Sequence, residues 1–262
     1  MVDTLSVAVA QCPANLGDPH ARLCWLKEKL ERHEGAPLDL IILPELFQSG
    51  YNIGNLMTAR AESSDGAFAA SIARLARARG TAILYGCAER KDGEVFNSAQ
   101  CIDRNGKVIG IHRKLLLPPI EGNCFARGTG CELFRLNGFT LAILICYDVE
   151  FPEILRHIAL AGAEIIAVPT ALNSQWGVVS KCVVPARAFE NGVFLCYANY
   201  CARENGIHYL GGSCIIAPDG NELARAGKRQ EILTAKLEKP AIRDARKRLP
   251  YLKDCLRLPW TE

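Results

Sequence analysis

Short apolar runs that end at a polar or charged residue alternate along this chain with segments of helical periodicity. Two runs, Asp39-Leu-Ile-Ile-Leu-Pro-Glu45 and Glu164-Ile-Ile-Ala-Val-Pro-Thr170, share one pattern: an acid, four apolar residues, a proline and a polar residue. A strand that is apolar at every position is buried on both faces, as in a parallel sheet covered by helices. The alternation therefore predicts an α/β fold, and the matched runs indicate two related halves.

A hairpin signal interrupts this alternation. Asp103-Arg-Asn-Gly106 joins two strand-like segments, and Asn-Gly is a strong signal for a tight turn between antiparallel strands. Mixed sheets are therefore expected. No linker rich in Pro, Gly or Ser divides the chain, so we predict a single domain over residues 1–262. The basic, proline-containing tail over residues 239–262 is expected to be poorly suited to the core.

Composition excludes several classes of protein. The 31 basic and 28 acidic residues give a net charge of +3, which argues against a nucleic-acid partner. No apolar segment reaches the ~18 residues that a membrane span needs, and the apolar stretch at Leu5 to Ala10 lacks a basic leader. We therefore expect a cytoplasmic protein with no membrane partner.

The chain has 12 cysteines, but no Cys-x-x-Cys pair and no Cys/His cluster with zinc spacing. In a reducing cytoplasm, we expect them to be free thiols, and no metal site is predicted. Besides Cys146, five cysteines in apolar runs are predicted to be buried: Cys87, Cys101, Cys182, Cys196 and Cys214.

Three reactive side chains stand at the ends of predicted strands, where ligands bind in open α/β sheets. They are Glu45, Lys114 and Cys146. A thiol is mostly protonated at neutral pH, so a nucleophilic cysteine needs a base or a positive neighbour. Glu45 is the candidate base. Lys114 and a helix N-terminus can hold the thiolate and then an oxyanion, with the Tyr147 N–H as a second donor.

Other assignments stay open at this point. His112 stands two positions before Lys114 on the same strand face, so a Cys–His pair is a rival to Glu45 as the base. Thiol redox chemistry would need a resolving cysteine near Cys146, and no neighbour in sequence supplies one. An inactive interaction protein on the same fold is a third hypothesis, which the presence of all three reactive residues disfavours.

The motifs LPELF (with Glu45), HRKLLLP (with Lys114) and LICYDVEFPE (with Cys146) resemble the Glu-Lys-Cys triad of the nitrilase superfamily of carbon–nitrogen hydrolases. The resemblance covers nearly the whole chain, and the flanking segments are most similar to bacterial aliphatic amidases of that superfamily. It implies a four-layer α-β-β-α sandwich with mixed sheets and no metal or organic cofactor. It also implies a homodimer or larger homo-oligomer, with residues 239–262 in the contacts.

The implied reaction is hydrolysis of a small linear amide to carboxylate and ammonia through a thioester on Cys146. Hydrolysis of an N-carbamoyl compound or a nitrile by the same triad is the alternative. Nitrilases typically carry Trp after the nucleophile, so Tyr147 favours amides.

The sequence departs from related amidases in the loop after Lys114. Those amidases carry a second glutamate there, which helps to place the substrate. Here the loop is Leu115-Leu-Leu-Pro-Pro-Ile-Glu121, which is stiffened by two prolines, and Glu121 is its only acid. We therefore assign the supporting role to Glu121. Four further residues are expected to position the substrate: Tyr51, Tyr147, Asn173 and Trp176.

Overall fold

Two six-stranded mixed sheets form the centre of the protein in the computed structural model, which describes residues 3–119 and 121–259. The strands in chain order are β1 (Thr4–Gln11), β2 (Leu40–Ile42), β3 (Ala82–Lys91), β4 (Glu94–Ile102), β5 (Val108–Arg113), β6 (Leu133–Leu136), β7 (Phe139–Ile143), β8 (Ile165–Pro169), β9 (Phe194–Ala198), β10 (Arg203–Glu204), β11 (Ile207–His208), β12 (Cys214–Ile216), β13 (Glu222–Arg225) and β14 (Glu231–Glu238).

The α-helices in chain order are α1 (Pro19–Glu31), α2 (Leu56–Ala59), α3 (Ala67–Arg79), α4 (Pro152–Leu160), α5 (Val184–Asn191), α6 (Lys239–Arg248) and α7 (Tyr251–Asp254). Three short 3₁₀ segments and one π segment complete the described structure: Cys146–Glu150, Ser174–Trp176, Cys255–Arg257 and, as the π segment, Val179–Val183. None of the helices in the described ranges is long and apolar enough to cross a membrane.

The two sheets have the same topology. Their strand orders are β14-β1-β2-β3-β4-β5 and β6-β7-β8-β9-β12-β13. In each, three neighbouring parallel strands are flanked by one antiparallel strand on one side and two on the other. The matched runs of the sequence contain β2 and β8, which occupy equivalent places. The expectation of two related halves is therefore confirmed.

Three apolar layers hold the sheets and helices together. Alternate residues of β1 and β2, such as Val7 and Ile42, pack against residues of the second sheet such as Ile143. The other faces of the first sheet pack on α1 and α3, and those of the second sheet pack on α4 and α5. Strands apolar at every position are thus buried on both faces. The predicted four-layer α-β-β-α sandwich is confirmed.

Local sequence signals set the helix boundaries. Asp18 is the N-cap of α1, where its carboxylate accepts a 2.8 Å hydrogen bond from the Ala21 N–H, and Pro19 follows as the first helical residue. Gly80 and Gly192 end α3 and α5 in the left-handed conformation that favours glycine.

The C-terminal tail is better packed than its composition predicts. Helix α6 buries Ile242 and Ala245, and Ile242 belongs to the core between the sheets. The Arg246 guanidinium donates to the carbonyl of Ala163 at 2.8 Å and that of Gly192 at 3.1 Å. The prediction that this segment is poorly suited to the core is wrong for α6, because its basic residues alternate with a narrow apolar stripe. Its role in oligomer contacts stays a prediction, and residues 260–262 lie outside the described residues.

The cysteine prediction holds for four of five positions. Cys87, Cys101, Cys196 and Cys214 are buried, whereas Cys182 is exposed. Cys182 lies in the π segment before α5, between Lys181 and Val183, on the exposed side of the turn. The prediction that Cys182 is buried is therefore wrong. Each of the 12 cysteines is a free thiol.

Candidate active site

The ends of β2 and β5 bring Glu45 and Lys114 into contact. The Lys114 ammonium lies 2.7 Å from Glu45 Oε1, and both side chains are fully buried. The Glu45 N–H also donates to the carbonyl of Thr170 at 3.4 Å. Glu45 and Thr170 close the two matched runs of the sequence, so the equivalent strand ends of the two halves meet at this point.

A glycine in β3 allows this close approach. A Cβ atom added to Gly86 would lie 2.7 Å from the Cα of Glu45 and would also collide with the backbone nitrogen of Leu46. Leu46 itself has a positive φ of 49°, which marks a tight turn directly after Glu45. Gly86 therefore lets the turn that carries Glu45 lie against the sheet.

Five side chains form one polar cluster, and four of them are buried. The Lys114 ammonium donates to Glu121 Oε1 as well as to Glu45, again at 2.7 Å. The Asn97 amide donates to both carboxylates, at 2.7 Å to Glu45 and 3.2 Å to Glu121, and the Tyr51 hydroxyl donates to Glu121 at 2.7 Å. Within the described residues, Glu45 Oε2 has no hydrogen-bond partner. One carboxylate oxygen is thus held by the cluster, while the other is available to accept a proton.

Burial and charge set the protonation of this cluster. Burial raises the pKa of Glu45 to about 7, although the Lys114 ammonium opposes the rise. For Lys114, burial favours the neutral amine, but the negative charges of Glu45 and Glu121 outweigh it and raise the pKa. Lys114 therefore remains an ammonium, and Glu45 can exchange a proton near neutral pH.

The surroundings of the Cys146 thiol favour its protonated form. Burial and the neighbouring Glu45 charge raise its pKa above the ordinary value, and Lys114 offsets only part of that rise. A thiol with a raised pKa needs a proton acceptor at the moment the sulfur attacks, which is the role predicted for Glu45.

Cys146 begins the 3₁₀ segment between β7 and α4, with a positive φ of 44°. Such backbone costs on the order of 1–3 kcal/mol in a residue other than glycine, and it recurs at functional sites. Asp148 holds the turn: its Oδ2 accepts from the Ile145 N–H at 3.1 Å, and its Oδ1 accepts from the N–H groups of Leu115 and Leu116 at 3.2 and 3.0 Å. One carboxylate thus joins the turn of Cys146 to the segment that follows Lys114.

His112 belongs to this support and not to the cavity. Its ring is 2% exposed, and its Nε2 lies 3.0 Å from Asp148 Oδ2. A ring committed to Asp148 behind the turn is poorly placed to take the Cys146 proton. The geometry therefore favours Glu45 over His112 as the base.

Cys146 opens on a cavity of about 410 Å³. The five residues expected to support the reaction all line it: Tyr51, Glu121, Tyr147, Asn173 and Trp176. Trp176 is 59% exposed and lies at the surface, and the Asn173 side chain caps the Ser174–Trp176 turn by accepting from the Gln175 N–H at 3.1 Å. The structure thus brings all five predicted positions together around the thiol, while Glu45 and Lys114 lie behind them.

Comparison with known proteins agrees with this geometry. A family model described as carbon-nitrogen hydrolase matches residues 6–247. The chain belongs to that family. It is 42% identical over 257 residues, 97% of its length, to the Pseudomonas protegens protein "Hydrolase in pqqF 5'region", of which it covers 90%. It is 31% identical to an (R)-stereoselective amidase of a Pseudomonas species, over 82% of this chain and 79% of that protein.

Among solved structures, this hydrolase resembles the amidase of Nesterenkonia sp. AN1. One structure of that amidase, a glutamate-to-glutamine variant, matches with a TM-score of 0.83 and 31% identity, over 94% of this chain and 98% of that chain. It shows the Michael addition of acrylamide at the active-site cysteine of that protein.

Three residues at the hydrolase's site were not singled out from the sequence. Asn97 lies on β4, where its carbonyl accepts from the Lys114 N–H at 2.8 Å. Asp148 and Glu150 lie within the motif that carries Cys146, and Glu150 lines the cavity. The position of Asp148 and Glu150 shortly after the candidate nucleophile was the sequence signal that could have identified them as site residues. Across residues 3–119 and 121–259, no group of three or more His, Cys, Asp or Glu side chains is arranged to hold a metal ion.

Proposed function

We propose that this hydrolase is an amidase that converts a linear carboxamide and water into a carboxylate and ammonia. The observation that carries the proposal is the buried ammonium of Lys114, bound at 2.7 Å to two carboxylates beside the cavity-lining Cys146. Two relatives with more than 30% identity bear the name amidase, which supports the choice of an amide over other carbon–nitrogen bonds.

The first half of the reaction forms a thioester. Glu45 accepts the thiol proton of Cys146 on its free oxygen while the sulfur attacks the amide carbon. Negative charge develops on the carbonyl oxygen, where the Lys114 ammonium and the Tyr147 N–H stabilise it. The tetrahedral intermediate then collapses: the carbon–nitrogen bond breaks, protonated Glu45 gives its proton to the nitrogen, and ammonia leaves.

The second half hydrolyses the thioester. Ionised Glu45 takes a proton from a water molecule as the water oxygen attacks the thioester carbon. The carbon–sulfur bond breaks, the carboxylic acid leaves, and the sulfur recovers a proton from Glu45. One amide and one water thus yield one acid and one ammonia, with Cys146 and Glu45 returned to their starting states.

The remaining residues position the reacting groups. Glu121 holds Lys114 through its 2.7 Å bond and is itself held by Tyr51 at 2.7 Å. A lysine with two carboxylate partners has little freedom to rotate, so its charge is fixed before substrate binds. Tyr147, Asn173 and Trp176 form part of the wall along which the acyl chain lies.

An N-carbamoyl compound or a nitrile can meet the same nucleophile, and the products separate the possibilities. An amide yields ammonia and a carboxylate. An N-carbamoyl amine yields ammonia, carbon dioxide and the free amine. A nitrile yields the same products as an amide but consumes two molecules of water.

The test is a panel of chain-matched amides, N-carbamoyl amines and nitriles incubated with the purified protein, with ammonia and the second product both measured. We expect amides to have the highest kcat/KM. Turnover of nitriles or N-carbamoyl compounds without turnover of any amide would overturn the proposal.

A further inference from the structure

The cavity contains an acidic side chain that the proposed reaction does not use. Glu150 lies four residues after Cys146, at the end of the 3₁₀ segment, and lines the same cavity. The other acid in the cavity wall, Glu121, is already bound to the Lys114 ammonium at 2.7 Å. Glu150 is therefore the acid whose role has to be explained.

The Glu150 carboxylate has no bonded partner among the residues that the structure describes. Among residues 3–119 and 121–259, no side chain or backbone N–H hydrogen-bonds to it, although the residue is partly buried. Arg187 lies close by, but its guanidinium donates to the carbonyls of Val149 and Glu150 at 3.2 and 2.8 Å and pairs with Glu190 at 3.1 Å. The nearby cation is thus committed to other acceptors.

Partial burial without a bound partner is unfavourable for the ionised form. Burial raises the pKa of Glu150, and the charges of Lys114 and Arg187 offset only part of that rise. A cation that binds beside the carboxylate would recover the free energy lost through burial, since charge-assisted hydrogen bonds are the strong ones.

The rest of the cavity also disfavours anions. None of its described lining residues is a lysine, arginine or histidine. Behind the wall, the single charge of Lys114 faces the two carboxylates of Glu45 and Glu121. With Glu150 the site is net negative whether Glu45 is ionised or protonated.

The remaining wall accommodates a carbon chain. Leu172 and Val179 supply aliphatic surface, and the rings of Tyr147 and Trp176 add aromatic faces. Aromatic faces attract cations as well as apolar groups, so they do not oppose a positively charged chain end.

We propose that Glu150 is a specificity-determining residue that selects amides whose chain carries a cationic group, an ammonium or a guanidinium, away from the carboxamide. This inference rests on the proposed amidase function. It predicts that the hydrolase discriminates substrates by charge at the far end of the chain and rejects amides that end in a carboxylate.

The wild-type protein alone provides the first test. Amides ending in an ammonium, from 4-aminobutanamide to 6-aminohexanamide, are compared with pentanamide to heptanamide, in which a methyl replaces the ammonium. Monoamides of dicarboxylic acids supply the anionic set. At pH 8 and low salt, we expect kcat/KM for the best amino amide to exceed that of its alkyl match by at least about tenfold, or about 1.4 kcal/mol. Raising the salt should reduce this ratio.

Variants then assign the preference to one side chain. Glu150→Gln should reduce the ratio of amino amide to alkyl amide, chiefly through KM, and Glu150→Lys should shift the preference toward the dicarboxylic monoamides. Glu153→Gln is the matched control, because it removes the same charge at an exposed position that does not line the cavity. It should leave the ratio unchanged.

Each outcome decides a separate claim. A wild-type ratio at or below one, or a Glu150→Gln variant that keeps the wild-type ratio, would overturn the role of Glu150. If the alkyl amides are hydrolysed and only the charge preference fails, the proposed amidase function stands. If no amide of any charge releases ammonia, the proposed function itself fails.

Discussion

Replacing Lys114 by methionine removes the charge that holds the buried cluster together. The Lys114 ammonium is bound at 2.7 Å to both Glu45 and Glu121, and all three side chains are buried. Removing one partner of a buried ion pair typically costs about 3–5 kcal/mol, because an uncompensated charge remains. For a chain of this size each kcal/mol shifts Tm by roughly 2–4 °C, so Lys114→Met should lower Tm by about 10 °C at pH 8.

The loss of stability in Lys114→Met should increase with pH. Without the ammonium, burial holds the pKa of the Glu45 carboxyl above the unfolded value of about 4.3. The folded variant then binds more protons than the unfolded chain, so its free energy of unfolding falls as pH rises above about 4.3. The Tm difference from wild type should therefore be larger at pH 8 than at pH 5.

Calorimetry of the wild type and of each variant at both pH values measures this difference in Tm. Lys236→Met is the matched control, since Lys236 forms a 3.7 Å surface pair with Glu238 and is 62% exposed, and such pairs contribute little. The double variant Lys114→Met/Glu121→Gln should recover part of the lost stability while remaining inactive. A Lys114→Met variant as stable as Lys236→Met at pH 8 would refute the claim that Lys114 compensates the buried carboxylates.

Three further predictions concern the base and the turn of the nucleophile. For an alkyl amide, kcat/KM should rise with pH through about 7, because Glu45 must be ionised to accept the thiol proton; a flat profile between pH 5 and 8 would exclude it. Glu45→Gln should lower kcat by about two to four decades and His112→Ala by far less, and steady-state kinetics showing the reverse order would restore the Cys–His hypothesis. Asp148→Ala should lower Tm, because it leaves the Ile145, Leu115 and Leu116 N–H groups without their acceptor; an unchanged Tm would contradict its role.

The sequence predicted the architecture because its signals are local. Runs that are apolar at every position require burial on both faces of a sheet. The runs that contain β2 and β8 have similar sequences, and the two strands occupy equivalent positions in their sheets. Glu45 and Lys114 each follow the end of a predicted strand, where ligands bind in α/β sheets, which explains why they could be paired without a structure.

What the sequence did not predict depends on distant contacts. Asn97 acts through a strand register that no local pattern shows, and Asp148 contacts a segment more than 30 residues before it. Cys182 directly precedes the apolar pair Val183-Val184 but is exposed in a π segment. The basic composition of the tail predicted poor packing. A narrow apolar stripe on α6 is nevertheless enough to bury Ile242 in the core.

Ammonia release by Cys146→Ala, measured with the amide on which the wild type is most active, decides whether this thiol is the nucleophile. Cys182→Ala is the control, since it removes an exposed thiol outside the cavity. We predict that Cys146→Ala folds like the wild type and retains less than about one thousandth of its activity, as expected when a nucleophile is removed, while Cys182→Ala keeps full activity. Substantial ammonia release by Cys146→Ala, purified free of host amidases, would contradict the assignment of Cys146 as the nucleophile.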